Sequence, residues 1–157
     1  MPPMPITPRG HARLHEQLKQ LREVDRPQNV RDIEDARAHG DLKENAEYHA
    51  AKERQSFIAG QMQHLETALA DAEIIDPAKL RGSRVTFGAT VTLVDVDTNV
   101  TQRFQIVSDL EANLAAGLVS MHAPTARGVL GKEEGDEVSI AAPKGKRTYF
   151  IEKVEFL

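Results

Sequence analysis

Gly40-Asp41-Leu42-Lys43-Glu44-Asn45-Ala46-Glu47 is the stretch whose reading decides the fold. Glycine takes the left-handed conformation at a helix end without a Cβ penalty, so His39-Gly40 closes one helical arm. The acids that follow suit the positive end of another helix. The segment near 40–47 therefore reads as the acidic tip of a hairpin. Beyond it, Tyr48, Ala51, Gln55, Ile58, Met62, Leu65, Leu69 and Ala72 step by three and four. That spacing is an a/d seam in which Gln55 is polar. It predicts a helix from about Asp41 to about Ile75, roughly 45–50 Å long at ~1.5 Å per residue.

Before the tip, Thr7-Pro8 has the form of an N-cap followed by proline at the first helical position. Leu14, Leu18 and Leu21 share one helical face. Pro27 interrupts, and Val30, Ile33 and Ala36 resume out of phase, predicting a kink or a helix restart. A ribbon with one apolar stripe needs a partner. The short turn makes the first arm that partner, in antiparallel sense; a parallel dimer through the second helix is the other arrangement the seam allows.

After the second arm, Asp76-Pro77 stops the helix, and 77–83 reads as a linker. Val85–Phe87 and Ala89–Val96 are β-branched and alternating, Asp97-Thr98-Asn99 is a turn, and Val100, Phe104 and Ile106 alternate with polar neighbours. Leu118–Met121 is another short strand, and Thr125–Leu130 fits one or two helical turns. Val138–Ala141 and Thr148–Phe156, joined by a turn at 143–145, complete an antiparallel sheet with one short helix to cover a face. The expected class is α+β: an antiparallel coiled-coil hairpin over 1–76, a linker over 77–83, and a β-sheet domain over 84–157.

The 157 residues include no cysteine, which excludes disulfides and thiolate metal sites and fits a reducing compartment. No apolar run approaches the ~20 residues of a membrane span, and Met-Pro-Pro-Met-Pro lacks the pattern of a secretory signal. The expectation is a soluble cytoplasmic protein. A net charge of -4 argues against a general duplex-DNA binder. Tyr48 and Phe57 are the aromatics of the first half, so base-stacking platforms are not expected there.

Asp41, Glu44 and Glu47 are spaced by three, which on a helix stacks them in one stripe. One reading is structural: an Asp cap with Glu three residues later resembles a capping box. The other is chemical. Two exposed carboxylates on a stiff rod are half of a magnesium site, since that ion often takes one or two protein carboxylates and draws its other ligands from water or phosphate. A partner's active centre would supply the rest, as in two-metal phosphodiester cleavage.

Ala36-Arg37-Ala38-His39-Gly40-Asp41-Leu42-Lys43-Glu44-Asn45-Ala46-Glu47-Tyr48-His49-Ala50-Ala51-Lys52-Glu53 closely resembles the tip signature of bacterial transcript cleavage factors of the Gre family, GreA type. Further matches lie at Val85–Thr92 and Ala123–Asp136, in family order. The resemblance implies an N-terminal coiled-coil hairpin, an FKBP-like C-terminal domain, and a transcription elongation factor that binds RNA polymerase at its secondary channel. The hairpin would enter the channel, and Asp41 and Glu44 would help hold a Mg2+ ion shared with the polymerase. The polymerase itself would then cut backtracked nascent RNA near its 3′ end, within an elongation complex that includes DNA. The factor would be a stimulator rather than an enzyme, with no cofactor of its own, and a monomer. Arg37 and Lys52 match the family's basic positions and would contact RNA; Lys52 keeps the charge of the arginine common there but loses its bidentate fork. Pro124 would lie in a polymerase-docking loop. The alternative is a channel binder that modulates the polymerase without promoting cleavage.

Other constellations carry less. His11 and His15 are four apart, as zinc ligands can be, but no cysteine or acid set completes them. His39 and His49 read as solvated. A prolyl-isomerase pocket would need Phe87, Phe104, Tyr149, Phe150 and Phe156, which core packing is expected to use. A passive coiled-coil adaptor is the remaining rival.

Overall fold

The computed structural model describes residues 3–40 and 45–157, Ala142 through its backbone only. The chain forms two compact units: residues 11–72, and residues 1–10 together with 73–157.

The hairpin's first arm begins as expected. Strand β1 (Met4–Ile6) leads into α1 (Pro8–Gln20), whose cap is Thr7: its Oγ1 accepts from Gly10 N–H at 3.1 Å. At Leu21–Asp25 the helix takes π register, with Arg26 N–H reaching back to Leu21 O, and then returns to α register as α2 (Arg26–Arg37). This is the outcome of the interruption expected at Pro27. A proline ring clashes with the carbonyl four residues earlier and offers no donor to it; a wider turn just before it removes both conflicts.

The phase after Pro27 differs from the expected one. Asn29, Ile33 and Ala36 are buried, while Val30 is 45% exposed. An apolar-only count passed over Asn29 because it is polar. Its Nδ2 donates to Ala51 O at 2.9 Å, which satisfies the amide inside the seam.

The second arm, α3 (Ala46–Ala70), is shorter at both ends than the expected 41–75. Its 25 residues give roughly 37 Å at ~1.5 Å per residue. Asn45, not Asp41, is its N-cap. At the far end the chain leaves helix to form β2 (Ala72–Ile74), which pairs with β1, and Ile75 N–H donates to Ile6 O at 2.8 Å. Ile58, Met62 and Leu65 are the buried centre of the seam. Helix α2 and the π turn pack on α3, and the two arms fold back on each other within one chain.

The second unit is built on a five-stranded sheet in the order β5-β4-β3-β7-β6. Its strands are β3 (Thr90–Asp95), β4 (Thr101–Val107), β5 (Leu118–Ser120), β6 (Glu137–Ala142) and β7 (Gly145–Glu155). Three of the four pairings are antiparallel, but β5 runs parallel to β4, with Gln105 opposite Leu118. The sheet is mixed, correcting the all-antiparallel expectation. The chain between these strands, 108–117, holds two short 3₁₀ turns and carries the backbone back to start β5 opposite Gln105 instead of returning as a hairpin. Helix α4 (Pro124–Val129) lays Ala126 and Val129 on a core of Val85, Val91, Leu93, Ile106 and Ile151.

Residues 1–10 belong to this unit, where the sequence reading placed them with the hairpin. The reason is Glu111, only 3% exposed. Its carboxylate accepts from Thr7 N–H (3.3 Å) and from Thr7 Oγ1. It also accepts from Ser108 N–H (3.1 Å) and Ser108 Oγ (2.7 Å). Gly10 makes room for it: a Cβ at position 10 would lie 1.9 Å from Glu111 Oε1.

Candidate functional site at the hairpin tip

Asp41 and Glu44, and Lys43 between them, lie outside the described residues. The framework on either side of them is well defined. The first arm ends at Arg37, and Ala38, His39 and Gly40 fold back on its last carbonyls, at 3.2, 3.2 and 3.3 Å. Gly40 has φ +106°, the left-handed ending read from the sequence. Across the tip, Asn45 Oδ1 accepts from Tyr48 N–H at 3.0 Å, and Asn45 Nδ2 donates to Ala36 O at 2.6 Å. Two exposed contacts reinforce this link. His39 Nδ1 lies 3.2 Å from Glu47 Oε2, and the Arg37 guanidinium sits 6.0 Å from the Tyr48 ring centroid.

Arg37 therefore stands over Tyr48, and Lys52 follows Tyr48 by four residues on α3, on the same helical face. Both cations are exposed, and Lys52 Nζ donates to Gln55 Oε1 at 2.9 Å. Tyr48 is half-buried. His39, read as solvated, is exposed but faces Glu47. Asn45 was missed as a site residue. Its signal was present: asparagine is a leading N-cap residue, directly before Ala46-Glu47.

The remaining candidates lie elsewhere. Pro124 is exposed at the first position of α4. Close by in sequence, Asp109 accepts from Ser120 Oγ and lies 2.9 Å from His122 Nδ1. The Ser120 hydroxyl, and after it the His122 ring, hold the Asp109 carboxyl below the usual carboxylate value. His11 and His15 meet edge to face at 4.6 Å. Among the described residues no group of three His, Cys, Asp or Glu is placed to hold a metal ion. Phe104 lies in the sheet core, and Tyr149 and Phe156 pack against it, but Phe150 is 38% exposed, so core packing does not use all five aromatics as expected. No described helix is long and apolar enough to cross a membrane.

Comparison with known proteins bears on both units. The family described as "Transcription elongation factor, N-terminal" matches residues 4–74, and "Transcription elongation factor, GreA/GreB, C-term" matches residues 80–156. The chain is 53% identical over 154 residues to transcription elongation factor GreA of Xylella fastidiosa, covering 98% of both chains. It is 52% identical over 153 residues to that of Hyphomonas neptunium, again covering 98% of both. Among solved structures, GreA factor homolog 1 of Thermus thermophilus is 26% identical, with 98% of this chain and 99% of that one covered and a TM-score of 0.45. Matched by a family model in each half and by relatives end to end, the chain belongs to the GreA/GreB family of transcription elongation factors.

Proposed function

We propose that this elongation factor binds RNA polymerase at its secondary channel and stimulates the polymerase's own cleavage of backtracked nascent RNA. In this reading the hairpin enters the channel. Asp41 and Glu44 contribute carboxylate oxygens to a Mg2+ ion shared with the polymerase, a hard cation that such a donor set suits. When bound, that ion supplies activation of the attacking water. The chain's own residues do the rest. Arg37 and Lys52 attract the phosphate backbone near the RNA 3′ end, and the buried seam keeps the acids at a fixed reach. Pro124 and its loop take part in docking the second unit. The protein needs no cofactor of its own and acts as a monomer in the cytoplasm.

The observation that supports this most is simple. Helix α2 ends at Arg37 and α3 begins at Ala46, so in the sequence both acids fall between the ends of two arms whose facing residues are buried. The test uses stalled, backtracked polymerase complexes with the wild-type protein, Asp41→Asn and Glu44→Gln. Each variant is expected to bind polymerase as the wild type does and to lose at least roughly 10-fold in RNA cleavage rate, the scale of losses around metal ligands. Unchanged cleavage removes the acids from the chemistry. Binding with no cleavage by the wild type itself turns the reading to a channel modulator.

A further inference from the structure

We propose that Asn45 is a positioning residue for the tip acids, tying the residue that follows them in the chain to the first arm. The inference rests on the proposed role of Asp41 and Glu44 and extends it to a residue that touches neither metal nor RNA.

Helix ends leave backbone groups without intrahelical partners. At the tip two such ends meet. Tyr48 N–H is an orphan donor of α3, and Ala36 O is among the last carbonyls of α2. Asn45 meets both with one side chain, at 3.0 and 2.6 Å, sharing Ala36 O with the His39 N–H that bonds it at 3.2 Å. The partners have fixed polarity, so the amide's orientation is settled: the backbone N–H must meet Oδ1, and the carbonyl must meet Nδ2. Capping alone would not need asparagine, since serine or aspartate caps as well. What asparagine adds is a donor reaching back across the hairpin while its oxygen stays on the cap.

The other links across the tip are weaker constraints. The side chains of His39 and Glu47 are 61% and 72% exposed, and Arg37 over Tyr48 is a 6.0 Å contact. Asn45 is half-buried, and Glu44 is its covalent neighbour. Residues 41–44 are therefore bounded by Gly40, bonded to Arg37 O, and by Asn45, bonded to Ala36 O. Both anchors lie on the same last turn of α2. A carboxylate that must meet a metal in another protein's active centre tolerates little displacement, because a shift of about 1 Å can cost on the order of 100-fold in rate.

The deciding variant is Asn45→Ser, which keeps the cap, adds no charge and is too short to cap and reach Ala36 O together. Asn45→Ala, which loses both bonds, isolates the effect of capping. Full-length variants are compared with the wild type and Asp41→Asn in backtracked complexes at saturating factor. The measurements are polymerase occupancy, cleavage rate, its dependence on Mg2+ concentration, and helix content by circular dichroism. Asn45→Ser is expected to keep wild-type occupancy and helix content, to cleave on the order of 10-fold more slowly, and to need more Mg2+ for half-maximal rate. A merely structural role would not move the Mg2+ requirement. Wild-type rate and Mg2+ requirement in Asn45→Ser, with Asp41→Asn inactive, overturn this inference alone. A cleavage loss that only follows lost occupancy overturns it too. Wild-type cleavage by Asp41→Asn overturns the underlying reading of the acids, and this one with it.

Discussion

Glu111 shows how much one side chain can hold. Its carboxylate gathers Thr7 at the start of α1 and Ser108 at a 3₁₀ turn into one buried network. Replacing it with alanine strands several buried donors, each costing ~1–3 kcal/mol. Glu111→Ala is expected to lower unfolding stability by about 2–4 kcal/mol in denaturant titrations. Gly10→Ala should be destabilising by the same assay, because the added methyl meets that carboxylate. Asp95 gives a pH prediction. The Asp97 N–H first, then Arg147 and the Thr98 N–H, hold its carboxyl below the usual value, against the opposing cost of burial. A depressed folded pKa means the contribution is present above the unfolded value, about 3.9, and is lost as pH falls through the folded one. Melting temperature should drop on acidification below about pH 4, and Asp95→Asn should remove part of that drop. At this scale the sequence was partly legible. Gly40 and the Thr7 cap followed from residue type and spacing, whereas Arg37 and Lys52 were singled out by the family resemblance. The Ser108-x-x-Glu111 box is a local signature, but the other half of that network lies 104 positions away, and no local rule pairs the two.

At the scale of elements, period-counting succeeded where packing is apolar and slipped where it is polar. The second-arm seam of Ile58, Met62 and Leu65 is buried as its spacing predicts. On the first arm Asn29 takes an interior place, because its amide finds the Ala51 carbonyl. This fixes the phase and makes it testable. Ile33→Ala is expected to cost about 2–4 kcal/mol, in the range for buried Ile truncations, and Val30→Ala less than about 1 kcal/mol. Equal costs in chemical unfolding would mean that the face is assigned wrongly. The ends of α3 were overread because helix propensity runs on past residues that tertiary partners claim. Asn45 takes the cap at one end, and β1 takes residues 72–74 at the other. The parallel β5 was illegible for a similar reason: three residues give no direction, and only the 3₁₀ turns of 108–117 set it.

For the whole molecule, the two units answer different demands. One is a mixed sheet closed by α4 over an apolar core. The other is a helical hairpin whose tip joins two helix ends through Asn45 and bears two exposed cations, Arg37 and Lys52. Family membership, matched over 4–74 and 80–156, says what such a protein takes part in. In the proposed function the tip would act by bringing carboxylates to a metal that another protein holds. The most direct measurement substitutes Fe2+ for Mg2+ in a backtracked polymerase complex bound to the end-labelled factor, and maps where locally generated radicals break the factor's backbone. The account predicts scission within residues 40–47 of the wild type, lost when Mg2+ in excess displaces the iron. Iron-dependent scission confined to other segments, with the factor fully bound, would contradict it.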